Sequence, residues 1–299
     1  MKPKVNIIIP VYNNSADTKK CLVSLSKLVY SKNRIIINII DNASTDDTLK
    51  AIASTRNNLR HLGLKIKTII NKKNLGFAGA VNQGIRARVC DYYFVINNDI
   101  TFAGNHLQTL IEYIENHPQV GIIGGKVYYQ KPKGKLLFSG LKFDPWTGSI
   151  IRLPDSNSTK ESGWIQGCDM LIAKKVIDKI GYFDEDYFFS FEDTDFCQRA
   201  NRAGFKIIYF PKAIAWHKES GTIDTFGQSR KAYELYKAKF TYIFKRSSLA
   251  QIFSSILVQF LVVAPYRRLF LRDKYFFFGS LYRAFVYNLS QLPTLIQKR

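Results

Sequence analysis

Several short polar clusters in this chain could do chemistry, and each also has a purely structural use. Asn74-Leu75-Gly76-Phe77-Ala78-Gly79-Ala80 sets two glycines where a helical pattern begins. Glycine permits close backbone approach and a helix N-terminus favours anions, so this is a candidate phosphate cradle; a tight strand–helix turn would use the same residues. Asp41 heads the block Asp41-Asn42-Ala43-Ser44-Thr45-Asp46 directly after an apolar run, and Asp99 closes Asn97-Asn98-Asp99 after another. Such carboxylates can receive a ligand N–H or a hard cation, or simply hold an Asx turn. Glu192 and Asp193 stand just before a further helical stretch. There a carboxylate can cap the helix, and it can also take a proton from an attacking hydroxyl. His217, in Ala215-Trp216-His217-Lys218, is a solitary imidazole that suits a metal or a structural hydrogen bond equally well.

These clusters are spaced by a regular alternation. Val5–Val11, Ile35–Ile40, Leu64–Ile70 and Tyr92–Ile96 are short apolar runs of the kind that form buried parallel strands. Helical patterns lie between them, over Asp17–Leu28, over Asp47–Asn57 behind its polar cap, and from Asn74 onward. Strand, polar loop and helix repeated over about 100 residues predict a doubly wound α/β half, in which ligands bind beyond the carboxyl ends of the strands. All the early polar clusters fall at that edge. Gln119–Trp164 reads as an irregular β-rich segment with Gly, Pro and Lys. A helix over Met170–Ile180, a loop to Phe191, a helix over Thr194–Ala203 and a strand over Phe205–Phe210 are expected after it.

With 299 residues, 46% of them hydrophobic, the chain can bury a full core and is not a disordered polymer. The net charge of +21 calls for an anionic partner. Base is concentrated from Gln228 onward, where thirteen Lys and Arg face only Glu234 and Asp273. The four cysteines (Cys21, Cys90, Cys168 and Cys197) have neither metal nor disulfide-framework spacing, which fits a reducing compartment. The apolar run after Lys4 lacks a cleavage site, so no secretory signal is visible and the folded α/β part is expected in the cytoplasm.

Taken in order, Ile9-Pro10-Val11-Tyr12-Asn13-Asn14, the Asp41 block, Asn74–Gly79, Asn97-Asn98-Asp99, Phe183-Asp184-Glu185 and Phe191-Glu192-Asp193-Thr194-Asp195 with Cys197-Gln198-Arg199 resemble a known pattern. Over residues 5 to 220 the chain looks like a family 2 glycosyltransferase of the GT-A fold, in the subgroup that includes bacterial rhamnosyltransferases. The resemblance implies an inverting, metal-dependent transfer from a UDP- or dTDP-sugar, with a slight tilt to dTDP-rhamnose, onto a glycan or lipid-linked saccharide. It makes Asp41 the acceptor of a pyrimidine N3–H, with Pro10, Tyr12 and Asn13 beside the base, and assigns the donor to Asn74, Gly76, Gly79, Asn97 and Asn98. Asp99 and His217 would hold Mn²⁺ or Mg²⁺, and Asn97 stands where the family's carboxylate form has Asp. Asp193 would be the base, with Glu192 the other candidate. Trp164, Gly167 and Asp169 fall where the family places an acceptor loop.

The expected division is a GT-A catalytic domain over 1–222 and a basic helical extension over 223–299. In the extension, Leu249, Ile252, Phe253, Ile256, Leu257, Phe260 and Leu261 draw an amphipathic stripe judged too short and too polar to span a bilayer. Arg267, Arg268, Arg272 and Lys274 with Tyr275-Phe276-Phe277-Phe278 follow it. That combination suits peripheral attachment to an anionic membrane on its inner face; packing on the catalytic domain, or on a second subunit in a homo-oligomer, is the alternative. No nucleic-acid-binding module is recognisable, and Pro10–Asn14 lacks the glycine and lysine of a nucleotidyltransferase loop. A nucleic-acid binder and an inactive glycan- or nucleotide-binding relative remain as alternative readings.

Overall fold

The computed structural model describes residues 2–218, 227–269 and 278–297. The boundary expected at 222/223 and the expected roles of Arg272, Lys274, Tyr275, Phe276 and Phe277 lie outside the described residues.

The first half is the expected alternation. Strands β1 (Val5–Val11), β2 (Ile35–Asp41), β3 (Lys65–Ile70) and β4 (Tyr92–Ile96) are separated by helices α1 (Ser15–Ser26), α2 (Thr48–Leu59) and α3 (Gly76–Ala87). β1 pairs in parallel with both β2 and β4, and β3 extends β2, so all four strands end at one edge. β1, β2 and β4 are mostly apolar and buried, as strands covered on both faces must be, whereas the edge strand β3 carries Lys65, Lys67 and Thr68 and is partly exposed. Val5, Ile7, Ile8, Ile37, Ile39, Phe94 and Val95 are buried in one continuous core.

The second half converts this into a mixed sheet. It holds β5 (Ile100–Phe102), α4 (His106–Glu115), β6 (Val120–Tyr129), β7 (Leu136–Phe138), β8 (Leu141–Asp144), β9 (Ser149–Arg152) and β10 (Lys160–Glu161). Then come β11 (Asp169–Ala173), α5 (Lys174–Ile180), α6 (Glu192–Arg202) and β12 (Lys206–His217). The order is β10-β12-β6-β11-β4-β1-β2-β3, with β5 on β12 and β7 on β6, while β8 and β9 form a separate hairpin.

Three expectations are corrected here. Met170–Ile180 is not one helix: Asp169–Ala173 is a strand wedged antiparallel between β4 and β6, and only Lys174–Ile180 is helical. A short apolar run cannot be told from a buried helix by periodicity, and burial on both sides by sheet neighbours decides it. Within the segment read as irregular, Val120–Tyr129 is a ten-residue strand at the heart of the sheet. Finally, the strand expected to stop at Phe210 continues to His217, because a register shift between Phe210 and Ile214 absorbs Pro211, which could not donate to the ladder. That continuation delivers His217 to the site.

The extension consists of α7 (Gln228–Arg246), α8 (Leu249–Val258), α9 (Ala264–Leu269), α10 (Phe278–Ser290) and α11 (Leu292–Gln297). Phe240, Ile243 and Phe244 of α7 meet Ala264, Leu281, Ala284 and Leu295 in a second, smaller core. The extension also docks on the catalytic half. Ala238 and Tyr242 pack with Tyr187 and Phe191, and Gln259 Nε2 donates to the Thr147 carbonyl at 2.7 Å. α8 runs through a π-helical turn at Gln259–Val263 into α9, making one 21-residue helix, Leu249–Leu269. Its length and composition suffice to cross a membrane, which corrects the expectation of too short and too polar a run. Its outward face is bare: Leu249, Phe253 and Leu261 are about 70% exposed (72%, 68% and 69%).

Candidate active site

At the carboxyl edge of the parallel strands, two loops are laced together. Asn13 N–H donates to Ser44 Oγ at 2.8 Å, Thr45 N–H donates to Asn13 Oδ1 at 2.8 Å, and Asn42 N–H donates to the Val11 carbonyl at 2.7 Å. Asn13, Asn14 and Ala43 all adopt left-handed backbone, at φ 60, 68 and 66°. Asparagine tolerates that region, whereas alanine is held there at a cost of about 1 kcal/mol or more. Asp41, wholly buried, accepts from Ser44 N–H through Oδ2 at 3.2 Å, while its buried Oδ1 has no hydrogen-bond partner. Pro10 and Tyr12 flank this point and are partly exposed.

Next to it lies the start of α3. Asn74 Oδ1 accepts from the Gly76 N–H at 2.9 Å. Gly76 sits at φ 75°, and a side-chain carbon there would lie 2.5 Å from the Phe188 carbonyl oxygen, so only glycine allows this loop to close on α3. Gly79 faces Glu185 across the same contact. Asn42, which the sequence did not single out, is the hub of the region. It donates to the Gly76 carbonyl and accepts from both Asn71 and the Leu75 N–H.

β4 ends in Asn97-Asn98-Asp99. The Asn98 amide donates to Thr18 Oγ1 at 2.9 Å and to the Asn13 carbonyl at 3.2 Å, bracing the first loop. Asp99 Oδ1 and His217 Nε2 lie 2.8 Å apart, with Asn97 Nδ2 3.1 Å from the same imidazole nitrogen; His217 Nδ1 is buried without a hydrogen-bond partner. Backbone bonds fix the pair, since the Asp99 carbonyl accepts from Lys218 N–H and from Gln130 Nε2. Lys218 Nζ reaches Asp17 at 2.8 Å, closing the strand against α1.

The residues fit a divalent ion in part. Two ligands at right angles, each about 2.1 Å from one ion, stand about 3 Å apart, close to the separation of this carboxylate and imidazole. Among the described residues there is no group of three His, Cys, Asp or Glu that could hold an ion. Protein would supply Asp99 and His217, and a bound ligand or water the rest.

Glu192 and Asp193 open α6 after two consecutive left-handed residues, Ser190 and Phe191, both at φ 67°. Asp193 receives three donors: Gly167 N–H at 3.0 Å on Oδ2, and Thr194 N–H at 2.7 Å and Thr194 Oγ1–H at 3.2 Å on Oδ1. Burial raises its pKa, opposed by those hydrogen bonds. Glu192 is more deeply enclosed; burial, and then the charge of Asp193, push its pKa well up, and its buried Oε2 has no partner. Burial thus disfavours the charge on both groups, more strongly on Glu192, because Asp193 alone has three donors supporting its carboxylate. The Cys168 thiol feels both Asp99 and Asp193: burial raises its pKa most, and the charges of Asp169, Asp99 and Asp193 add to it, so the two carboxylates flank one region.

A pH test follows. The folded protein keeps a proton on Glu192 at pH values where the unfolded chain has lost it. The group thus subtracts stability as pH rises from the ordinary glutamate value, about 4.3, through its raised value. Glu192→Gln is expected to raise the thermal midpoint at pH 7, with the gain vanishing near pH 4. An equal or lower midpoint at pH 7 would contradict the burial of an ionisable proton here.

Two of the residues expected near an acceptor lie in the core. Trp164 is 3% exposed and bridges Leu141, so its ring has no free face for a sugar. Asp169 is 2% exposed, its carboxylate engaged by His106 Nε2 at 2.8 Å and Gly125 N–H at 2.9 Å; the alternating strand β11 turns it inward. Gly167 is at the site, but as the donor that holds Asp193.

Charge pairs missed from sequence tie α7 to the catalytic loop. Lys245 Nζ sits 2.6 Å from both Asp184 and Asp186, and Arg246 Nε 2.5 Å from Asp195, which Arg199 also meets at 2.8 Å. The acid-rich Phe183–Asp195 stretch facing a basic extension was the available signal.

Comparisons with known proteins agree with this architecture. The profile described as "Glycosyl transferase family 2" matches residues 6–181, and "Glycosyl transferase family group 2" matches 94–296. A Mycobacterium tuberculosis N-acetylglucosaminyl-diphospho-decaprenol L-rhamnosyltransferase is 26% identical over 266 residues, spanning 80% of this chain and 82% of that protein. A Staphylococcus aureus poly-beta-1,6-N-acetyl-D-glucosamine synthase is 25% identical over 72% of this chain and 52% of its own length. Among solved structures, Staphylococcus aureus TarS 1-349 in complex with UDP-GlcNAc superposes with a TM-score of 0.63 at 16% identity, over 98% of this chain and 81% of that one. A Pyrobaculum calidifontis mannosyltransferase in complex with GDP-Man and Mn²⁺ gives 0.61 at 14% identity, over 98% and 88%. With a family profile covering more than half its length and a sheet of matching form, this chain belongs to glycosyl transferase family 2 and is a glycosyltransferase of GT-A fold.

Proposed function

We propose that the protein transfers a sugar, with inversion, from a UDP- or dTDP-sugar to a hydroxyl of a lipid-linked saccharide during cell-surface polysaccharide synthesis. The observation that carries this reading is Asp193: a carboxylate supported by Gly167 and Thr194, beside the more deeply buried Glu192, at the same edge as the Asp99–His217 pair. Asp41 Oδ1, a buried acceptor without a partner, suits the N3–H of uracil or thymine between Pro10 and Tyr12. The start of α3, from Asn74 through Gly76 and Gly79, and the amide of Asn97 favour the phosphates and ribose.

Asp99 and His217 would hold Mn²⁺ or Mg²⁺, which neutralises the charge that develops on a departing diphosphate. Asp193 takes the proton of the acceptor hydroxyl as that oxygen attacks the anomeric carbon from the face opposite the leaving group. Gly167 and Thr194 fix the direction of its lone pairs. The lipid-linked acceptor is supported by the name of the mycobacterial relative, whose substrate is a diphospho-decaprenol, and by the bare apolar face of Leu249–Leu269. Residues 1–222 act as the catalytic domain in this reading. The extension lies on the inner face of the membrane, one side on Trp146–Gly148 and the other in lipid, with exposed Trp146, Ile150 and Ile151 beside it.

Asp99→Ala tests the donor site. It is expected to weaken metal-dependent binding of the donor nucleotide by about tenfold or more, as loss of a charged ligand contact worth about 1.5–3 kcal/mol requires. Unchanged affinity in calorimetry with Mn²⁺ present would remove Asp99 from the metal shell.

A further inference from the structure

The Asp99–His217 pair is aligned by unusual means. A metal-binding histidine usually has its ring fixed from behind, its other nitrogen donating to a carboxylate or a carbonyl. His217 has no such contact, since its Nδ1 is buried without a hydrogen-bond partner. The pair must therefore be held through its main chain, although its two residues lie 118 positions apart in sequence. β5, which pairs with β12 beside them, is only three residues long, and Asp99 lies just before its first residue.

Gln130, the first residue beyond β6, supplies the missing alignment. Its N–H donates to the His217 carbonyl at 3.0 Å, continuing the parallel pairing of β6 with β12 by one step. Its side-chain Nε2 donates to the Trp216 carbonyl at 3.3 Å and to the Asp99 carbonyl at 3.2 Å. Successive carbonyls of a strand point to opposite sides, and that of Trp216 faces β5, where Thr101 Oγ1 lies 3.5 Å away. One glutamine thus grips β12 from both sides and reaches across it to the residue that precedes β5. The Asp99 carbonyl takes one further bond, from Lys218 N–H at 3.1 Å. β6 runs through the middle of the sheet between β11 and β12, so the two ligands are referred to one of its most buried strands.

A primary amide suits this position. Its two N–H groups diverge from one nitrogen, so one atom can hold two carbonyls, and it brings no charge beside a cation. Lysine would hold the carbonyls and repel the metal. Glutamate would attract the metal and repel the carbonyls. Methionine would fill the space and hold nothing.

We propose that Gln130 is a positioning residue for the divalent cation, setting the separation of Asp99 and His217 by holding their main chains to the end of β6. The proposal rests on the reading of that pair as the protein's metal ligands, and adds the residue that keeps them in register.

The test compares wild type with Gln130→Met and Gln130→Glu, as full chains in detergent. Mn²⁺ affinity is read by electron paramagnetic resonance with UDP or dTDP present, and affinity for the same nucleotide by calorimetry in chelator. Both variants are expected to bind Mn²⁺ about tenfold or more weakly, the usual effect of losing a contact that orients a ligand. Nucleotide affinity in chelator should stay within about twofold, because the bonds of Gln130 go to β12 and Asp99 and not to the loops around Asp41. An equal fall in chelator would make Gln130 a general support of this edge and overturn the proposal. A tighter Mn²⁺ complex in Gln130→Glu would overturn it too, since local charge and not alignment would then govern the site. If Gln130→Met does not fold, Gln130→Glu, which keeps size and polarity at a half-buried position, carries the test. Wild type that binds Mn²⁺ no better than the variants do refutes the role of Gln130 alone; wild type that binds nucleotide but no Mn²⁺ also removes the metal pair on which it rests.

Discussion

Asp193→Asn is expected to lower kcat by about 10²–10⁴-fold, the usual contribution of a positioned general base, while donor and metal affinity stay within twofold of wild type. The substitution keeps the shape of the side chain and can still accept from Thr194, so the start of α6 should remain in place. What it loses is the charged lone pair that takes the acceptor proton in the mechanism proposed above. The partner variant separates the two acids. Burial raises the pKa of Glu192, and its Oε2 has no hydrogen-bond partner, so Glu192→Gln should preserve far more activity than Asp193→Asn. Single-turnover transfer measured in both variants checks this. If Glu192→Gln proves the more damaging, the base assignment is reversed; if Asp193→Asn is fully active, neither carboxylate is the base.

Asp195→Asn should cost the most stability. Its side chain is wholly buried and receives Arg246 Nε at 2.5 Å, Arg199 Nε at 2.8 Å and the Tyr187 hydroxyl at 3.4 Å. Removing the charge leaves two guanidiniums, 8% and 18% exposed, facing a neutral amide. Breaking a buried pair by removing one partner costs about 3–5 kcal/mol, and partial solvation of the arginines places this case near the lower figure. Because Arg246 belongs to α7 and Asp195 to α6, the loss is shared between the catalytic half and the extension. Urea unfolding should show a lower midpoint with little change in slope. A midpoint within experimental error of wild type would mean that the extension is held by its apolar contacts alone.

The early sheet was legible because its residues carry the fold locally. Val5–Val11 and Ile35–Asp41 are short apolar runs that end in polar turns, and the helical pattern between them is the crossover that makes their pairing parallel. Met170–Ala173 was not legible in the same way. Its four apolar residues suit a helix or a strand, and the gap between β4 and β6 that makes it a strand is formed by residues far away in sequence. The bulge around Pro211 hid the continuation to His217 for a related reason, since proline reads locally as a stop. In the site, Asp41, Asp99, His217 and Asp193 could be named from type, order and likeness to a family. Their supports could not: Gly167 holds Asp193 across 26 positions, and Lys245 meets Asp184 across 61. Trp164 and Asp169 show the converse, since loop-like polar and aromatic residues turned out to serve the core once β11 joined the sheet.

The central claim is that this edge of the sheet binds a pyrimidine nucleotide-sugar with a divalent cation. Thermal unfolding of the wild-type chain with UDP-, dTDP- and GDP-sugars, each with Mn²⁺, Mg²⁺ or a chelator, tests it most directly. A ligand at a hundredfold excess over its dissociation constant adds about 2.7 kcal/mol of stability, a readily measured rise in midpoint. The account predicts that rise with one uracil or thymine series, in the presence of metal and not of chelator. Stabilisation by no nucleotide-sugar, or by a guanine series in place of the pyrimidines, would contradict it.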